Sequence, residues 1–160
     1  MFDVGDSAVY PGHGVGVIEA IESKTIVGRE QLFYILRIVD NGMTIMIPTG
    51  NIDVVGLREV IPPVEIPRVF EILKERRVSL DSQTWNRRYR EYMEKINGGS
   101  IFSIAEVLRD LQVLKMGKTL SFGERKILDT AKNLLVKELA VARDCREAEI
   151  LIEIKKIFES

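Results

Sequence analysis

Ile61-Pro62-Pro63-Val64-Glu65-Ile66-Pro67 marks the point where the chain changes its period. Before it, short β-branched runs alternate with glycine-containing turns. After it, apolar residues recur at helical spacing. The stretch therefore predicts two differently built halves, residues 1–61 and 68–160, joined by a linker at 62–67.

Working back from the prolines, residues 7–11, 14–22, 30–39 and 43–48 read as strands, with a short one near 56–61. Asp40-Asn41-Gly42 reads as a hairpin turn, because Asn-Gly tolerates the positive φ of a tight reversal, and Val27-Gly28-Arg29 is a second candidate. About five short strands joined by tight turns suggest a small SH3- or Tudor-like β-barrel. Working forward, Pro67 suits the first position of a helix over 68–77. A second helix spans about 83–96, capped by Asp81 or Ser82 and stopped by Asn97-Gly98-Gly99. A third, 101–115, puts Ile104, Val107, Leu108 and Leu111 on one stripe and ends at Gly117. Ser121-Phe122-Gly123-Glu124 fits a capping box and opens a fourth helix that runs to about Arg143 and buries Ile127, Leu128, Leu134, Leu135 and Leu139. A last helix, 146–158, is apolar at Ile150, Leu151, Ile154, Ile157 and Phe158. The expected fold is α+β, a small barrel followed by an all-α bundle of about five helices.

Of the 160 residues, 46% are hydrophobic and 29% charged, ordinary proportions for a globular protein and against wholesale disorder. The net charge of −1 hides an asymmetry. Residues 1–60 hold four Lys/Arg against eight Asp/Glu, a net of −4, whereas residues 68–99 hold eight against five, a net of +3. An acidic half followed by a basic segment suggests two surfaces with different partners. A single cysteine, Cys145, excludes an internal disulfide framework and fits a reducing compartment. The opening Met-Phe-Asp-Val-Gly-Asp is unlike a secretory signal, and no apolar run approaches the ~18 residues of a membrane span, so a cytoplasmic protein is expected.

Most candidate chemistry fails on inspection. Met116-Gly117-Lys118-Thr119 resembles the tail of a phosphate-binding loop, but that motif needs a glycine where Gln112 stands, after a strand rather than a helix. Gly12-His13-Gly14-Val15-Gly16 lies between two strands and reads as a hairpin turn. His13 and Cys145, the only histidine and cysteine, are too few for a usual zinc cluster and fall in different halves. Acidic pairs look like solvated helix faces with i,i+4 partners, such as Glu91 with Lys95. No catalytic, metal or cofactor site is expected.

The remaining feature is Trp85, the only tryptophan, in Asp81-Ser82-Gln83-Thr84-Trp85-Asn86-Arg87-Arg88-Tyr89-Arg90. A flat apolar ring beside a cationic cluster suits nucleic acid, with arginines on phosphates and the ring stacked on a base or wedged into a base step. A lone tryptophan is also a common core residue, and from spacing alone both roles stay open. Two details favour projection: the ring stands at a helix start, and Tyr89, Tyr92, Met93 and Ile96 already supply a stripe that can face the core.

The whole chain resembles the CarD/CdnL family of bacterial transcription regulators. The resemblance rests on residues 4–16, Val-Gly-Asp-Ser-Ala-Val-Tyr-Pro-Gly-His-Gly-Val-Gly, on Ile47-Pro48 and on Val55-Gly56-Leu57-Arg58. It continues through Trp85-Asn86-Arg87-Arg88-Tyr89, Ala105-Glu106-Val107-Leu108-Arg109-Asp110-Leu111 and residues 120–126, Leu-Ser-Phe-Gly-Glu-Arg-Lys. The N-terminal module is shared more widely, including by the transcription-repair coupling factor. The resemblance implies a Tudor-like domain docking on the β subunit of bacterial RNA polymerase and a helical domain touching promoter DNA. Trp85 would wedge into the minor groove at the upstream fork of the melted bubble and stabilise the open complex. Positions matching Arg87, Arg90 and Arg125 would meet the DNA backbone and those matching Lys24 and Met46 would lie on the polymerase side; Arg88, from the same cationic cluster, is also expected on the DNA surface, and Ile47 and Pro48, next to Met46, on the polymerase surface. Some relatives carry arginine where Met46 stands, so docking here would rest on strand-edge pairing and apolar burial. A monomer, weakly sequence-specific and brought to the nucleoid by polymerase, is expected. A protein–protein adaptor of the transcription machinery with Trp85 as an interface anchor, and more remotely a small enzyme, are the other classes.

Overall fold

A computed structural model describes residues 2–76 and 84–159. The chain divides into two compact units, Met1–Val60 and Ile61–Ser160.

In the first unit the strands are β1 (Ser7–Tyr10), β2 (Gly14–Ile26), β3 (Arg29–Ile38), β4 (Thr44–Pro48) and β5 (Arg58–Glu59), with a short helix α1 (Ile52–Val55) before the last. They form one antiparallel sheet in the order β4-β3-β2-β1-β5. Strand number and the α+β class are as read, but closure is not. β4 and β5 stand at opposite ends of the order without pairing, so the expected barrel is an open sheet. A two-residue β5 is too short to offer a useful ladder to a partner. α1 escapes a sequence reading because four residues cannot display a helical period.

β2 runs to Ile26, beyond the expected residue 22, because its outer part pairs with β3 as a hairpin arm exposed on both strands, where alternation gives no signal. The arm turns at Val27 and Gly28, φ 50° and 74°, the two positive angles of the turn that matches strand twist. Nearer the core, the register shifts between Ile18 and Ala20, leaving Glu19 as an extra residue that bends the strand. Phe2, Ala8, Ile18, Tyr34, Leu36, Ile38, Ile47 and Leu57 pack together beneath the sheet. Phe2 meets the Tyr34 ring edge-on at 5.9 Å, and its N–H donates to the Tyr34 hydroxyl at 3.2 Å.

The second unit holds α2 (Ile66–Lys74), α3 (Trp85–Asn97), α4 (Ile101–Gly117), α5 (Phe122–Arg143) and α6 (Glu147–Glu159). Pro67 occupies the second rather than the first helical position, because a 3₁₀ turn at Pro63–Glu65 leads directly into Ile66. The expected caps Asp81 and Ser82 and the expected start Gln83 lie outside the described residues. The α3 cap within them is Thr84, whose hydroxyl accepts from the Arg87 N–H at 3.4 Å.

α4 is the central helix and packs against α2, α3 and α5. That position explains its composition, with Ile101, Ile104, Ala105, Val107, Leu108 and Leu111 buried around most of its circumference. Each large side chain fully buried here contributes about 1.5–3 kcal/mol. From α3, Tyr92 and Ile96 reach this core, whereas Tyr89 does not. The buried carboxylate of Glu138 on α5 accepts the Ile61 N–H at 2.9 Å, tying the start of the unit to its longest helix.

Candidate nucleic-acid interface

Trp85 is the first residue of α3, directly after its Thr84 cap. A side chain there precedes the turns that α3 buries against α4, so the indole is not drawn into the core, and it is 37% exposed. Its benzo edge leans on α5: a Cβ built on Gly123 would lie 2.8 Å from Trp85 Cζ2 and 3.5 Å from Cη2. Tyr89, one turn on, sets its ring 5.8 Å from the indole and is itself exposed. Phe122, which opens α5 beside Gly123, is 76% exposed.

The four expected cations have different surroundings. Arg88 places its guanidinium carbon 5.4 Å from the centre of the Trp85 ring, within cation–π range. Its Nη2 is 2.6 Å from Glu124 Oε2, and the Glu124 side chain has no solvent exposure. Its Nε is buried without a hydrogen-bond partner among the described residues. Arg88 is therefore built into the fold, a poor state from which to clamp a phosphate. Arg87 and Arg90 are exposed, and Arg87 reaches Glu91 only at 3.8 Å, a solvated pair worth little. Arg125 is exposed on α5, two residues beyond Gly123. Lys95 pairs with Glu106 at 3.4 Å rather than with Glu91 as its spacing suggested.

Glu124, expected only as the glutamate of the capping box, is also the hub on which Arg88 and Lys118 converge. Its Oε1 accepts the Ser121 N–H at 2.9 Å, and its own N–H donates to the Ser121 hydroxyl at 3.2 Å, completing the expected capping box. Lys118 Nζ stands 3.2 Å from the same carboxylate. Burial alone would raise the Glu124 pKa. The Ser121 N–H, Lys118, the Ser121 hydroxyl and Arg88 outweigh it and bring the value down to about 2. The signal in the sequence was the capping box, which forecasts the local bonds but not the arginine arriving from 36 residues away. Gly117-Lys118-Thr119 falls at the C-terminal end of α4, so Lys118 serves this carboxylate rather than a phosphate loop.

In the first unit, register sorts the four expected polymerase contacts. Lys24 pairs with Gln31, Pro48 with Phe33 and Met46 with Ile35. Because side chains alternate along β3, these three share one face of the sheet. Ile47 pairs with Tyr34 on the opposite face and is fully buried. Its side chain belongs to the core, leaving only backbone for a partner. Met46 is 43% exposed, and β4 ends the strand order with one side unladdered. His13, in the β1–β2 turn, has its ring edge-on to Tyr10 and Nδ1 3.3 Å from the Pro11 carbonyl, a local role.

Residues 68–155 match the family described as CarD, C-terminal domain, and residues 2–61 the one described as CarD-like/TRCF RID domain. The chain is similar to YdeB of Bacillus subtilis (strain 168), named as a candidate transcription factor, with 38% identity over 150 residues, 94% of this chain and 97% of that protein. Among solved structures, CdnLNt from Myxococcus xanthus is 54% identical over 38% of this chain and 86% of its own, with a TM-score of 0.33. The solution NMR structure of the 72-residue N-terminal domain of Myxococcus xanthus CarD is 34% identical, over 37% of this chain and 79% of its own, at a TM-score of 0.33. No helix among the described residues is long and apolar enough to cross a membrane.

Proposed function

The chain belongs to the CarD/CdnL family of RNA polymerase-interacting transcription factors, and from that premise we propose that it stabilises open promoter complexes by wedging Trp85 at the upstream edge of the transcription bubble. The carrying observation is the state of the indole: it stands at a helix start, partly uncovered, with one edge held by α5. A ring so held meets a parted base step at little cost in ordering, and stacking contributes on the order of 1–3 kcal/mol per base. Arg87, Arg90 and Arg125 are the cations available to phosphates. Arg88 acts instead through the indole it covers.

The first unit would dock on the polymerase β subunit through the free side of β4 and the face carrying Lys24, Met46 and Pro48. An acidic unit suits protein docking better than DNA contact, and the modest positive balance of residues 68–99 implies weak DNA binding alone. Tethering to polymerase supplies affinity by raising the local concentration of Trp85 near the fork. A minor-groove wedge reads deformability more than base identity, so sequence preference should be slight.

The action is a population shift: a factor binding the open form better by ~1.4 kcal/mol changes the open-to-closed ratio tenfold. The test is open-complex lifetime on one promoter, with wild-type protein and Trp85→Ala, alongside polymerase binding. Loss of the lifetime effect with docking intact is expected. An unchanged lifetime would overturn the wedge and favour the adaptor reading, for which exposed Tyr89 beside the indole and exposed Phe122 at the start of α5 supply anchor-like surface.

A further inference from the structure

One edge of Trp85 lies against α5, a helix that begins far along the chain from it, and that helix makes room for the ring with a glycine. A side chain at position 123 would begin 2.8 Å from Cζ2 and 3.7 Å from Cε2 of the indole. The nearer distance is shorter than carbon–carbon contact allows, so something must move. The three nearest atoms all belong to the Trp85 ring, the outer end of a side chain with two rotatable bonds, so the ring is what would yield. The ring's position is further set by the Arg88 guanidinium over it, and that guanidinium is held by the buried Glu124 carboxylate. Glu124 is in turn fixed by Ser121 and Lys118.

We infer that the first turn of α5 is a seat that aims Trp85, with Gly123 and Glu124 as positioning residues: Gly123 sets where the indole can lie, and Glu124 holds the arginine that covers it. Neither residue need touch DNA. The inference rests on the reading that the indole engages promoter DNA, and it assigns the orientation of that indole to the helix facing it. It also explains why Arg88 is enclosed while Arg87 and Arg90 are exposed.

Trp85 is the only tryptophan, so intrinsic fluorescence reports the seat directly in the full-length protein. Gly123→Ala is the first variant, because alanine's advantage over glycine as a helix former offsets the ring packing that is lost, so the melting temperature should stay close to that of the wild type. Its expected signature is a native melt, an emission maximum displaced from wild type, steeper acrylamide quenching and an open-complex lifetime shortened to the Trp85→Ala value. Glu124→Gln is the second variant. Glutamine can still close the capping box but cannot pair with Arg88 as a carboxylate does, so the same optical change is expected in a folded protein.

Unchanged emission and quenching in both variants would overturn the seat. Changed fluorescence with a wild-type lifetime, while Trp85→Ala shortens it, would also overturn it, since the wedge would not need aiming. If Trp85→Ala itself leaves lifetime unchanged, the proposed function falls and the optical data alone judge whether α5 positions the ring. A Gly123→Ala protein that fails to fold would overturn the claim that the ring yields rather than the backbone, with the Glu124→Gln variant then judging the arginine half.

Discussion

Arg88 and Glu124 meet at 2.6 Å, joining the first turn of α3 to the first turn of α5 through a carboxylate that solvent does not reach. The contact separates two arginines that are adjacent in the chain. Arg87 points into water with a loose partner, whereas Arg88 is part of the packing that holds the indole.

The two should therefore behave differently when removed. Arg88→Ala strands the Glu124 charge and should cost about 2–3 kcal/mol, below the ~3–5 of a buried pair with no other partner, because Lys118 remains nearby. Arg87→Ala should stay within ~0.5 kcal/mol. Urea unfolding of both checks this, and equal effects would contradict the enclosed role of Arg88.

DNA binding should show the reverse order. Replacing Arg87, Arg90 or Arg125 with glutamine should each flatten the log–log salt dependence by about 0.9 per lost phosphate contact on duplex DNA. Arg88→Gln should reduce affinity through the indole with little change in slope. A slope unmoved by the three exposed substitutions would remove them from the DNA surface.

Trp85→Ala should cost only about 1–2 kcal/mol of stability, less than the ~3–5 of a fully buried aromatic, since the ring is partly exposed and packs one edge on Gly123. A thermal melt beside the transcription assay reads both quantities. A large loss of stability would make the ring a core residue after all.

Acid should release the Glu124 latch. Its folded pKa, about 2, lies below the ordinary 4.5, so the unfolded chain takes up a proton first as pH falls. Its contribution is fully present above about pH 4.5 and is lost toward pH 2, amounting to at most about 3 kcal/mol. Unfolding free energy measured across this window should fall less steeply for Glu124→Gln than for wild type. Parallel curves would show that the carboxylate is not held as described.

On the first unit, Ile47→Ala should destabilise by about 2–5 kcal/mol, because a fully buried side chain leaves a cavity. Met46→Asp should leave the melt nearly unchanged and weaken polymerase binding, measured by pull-down or titration with polymerase. If Met46→Asp binds normally, that face of the sheet is not the dock.

Much of the fold was legible because its signals are local. Proline clustering at 61–67, alternation in the strands, the helical stripes and the Ser121–Glu124 box each need only neighbouring residues to be read. Two of the misses were also local in origin. The arm of β2 beyond residue 22 is exposed on both faces and so carries no alternation, and α1 is too short to show a period. Closure is not legible because β4 and β5, though only nine residues apart in the chain, take opposite ends of the strand order, and that order is set by which strands pair in space.

For the site, sequence alone determined that one indole stands beside several cations at a helix start, since chain adjacency and capping chemistry suffice for that. Tertiary structure decided which of those cations remain available and what holds the ring. Arg88 is withdrawn by a carboxylate 36 residues away, and Gly123 clears space for a side chain from a different helix. Ile47 passes from surface to core by the two-residue period of a strand whose facing could be read only once it was paired with Tyr34. The physical reason is common to all three: burial and charge pairing depend on which groups meet in space, and the packing of helices and the register of strands set those meetings.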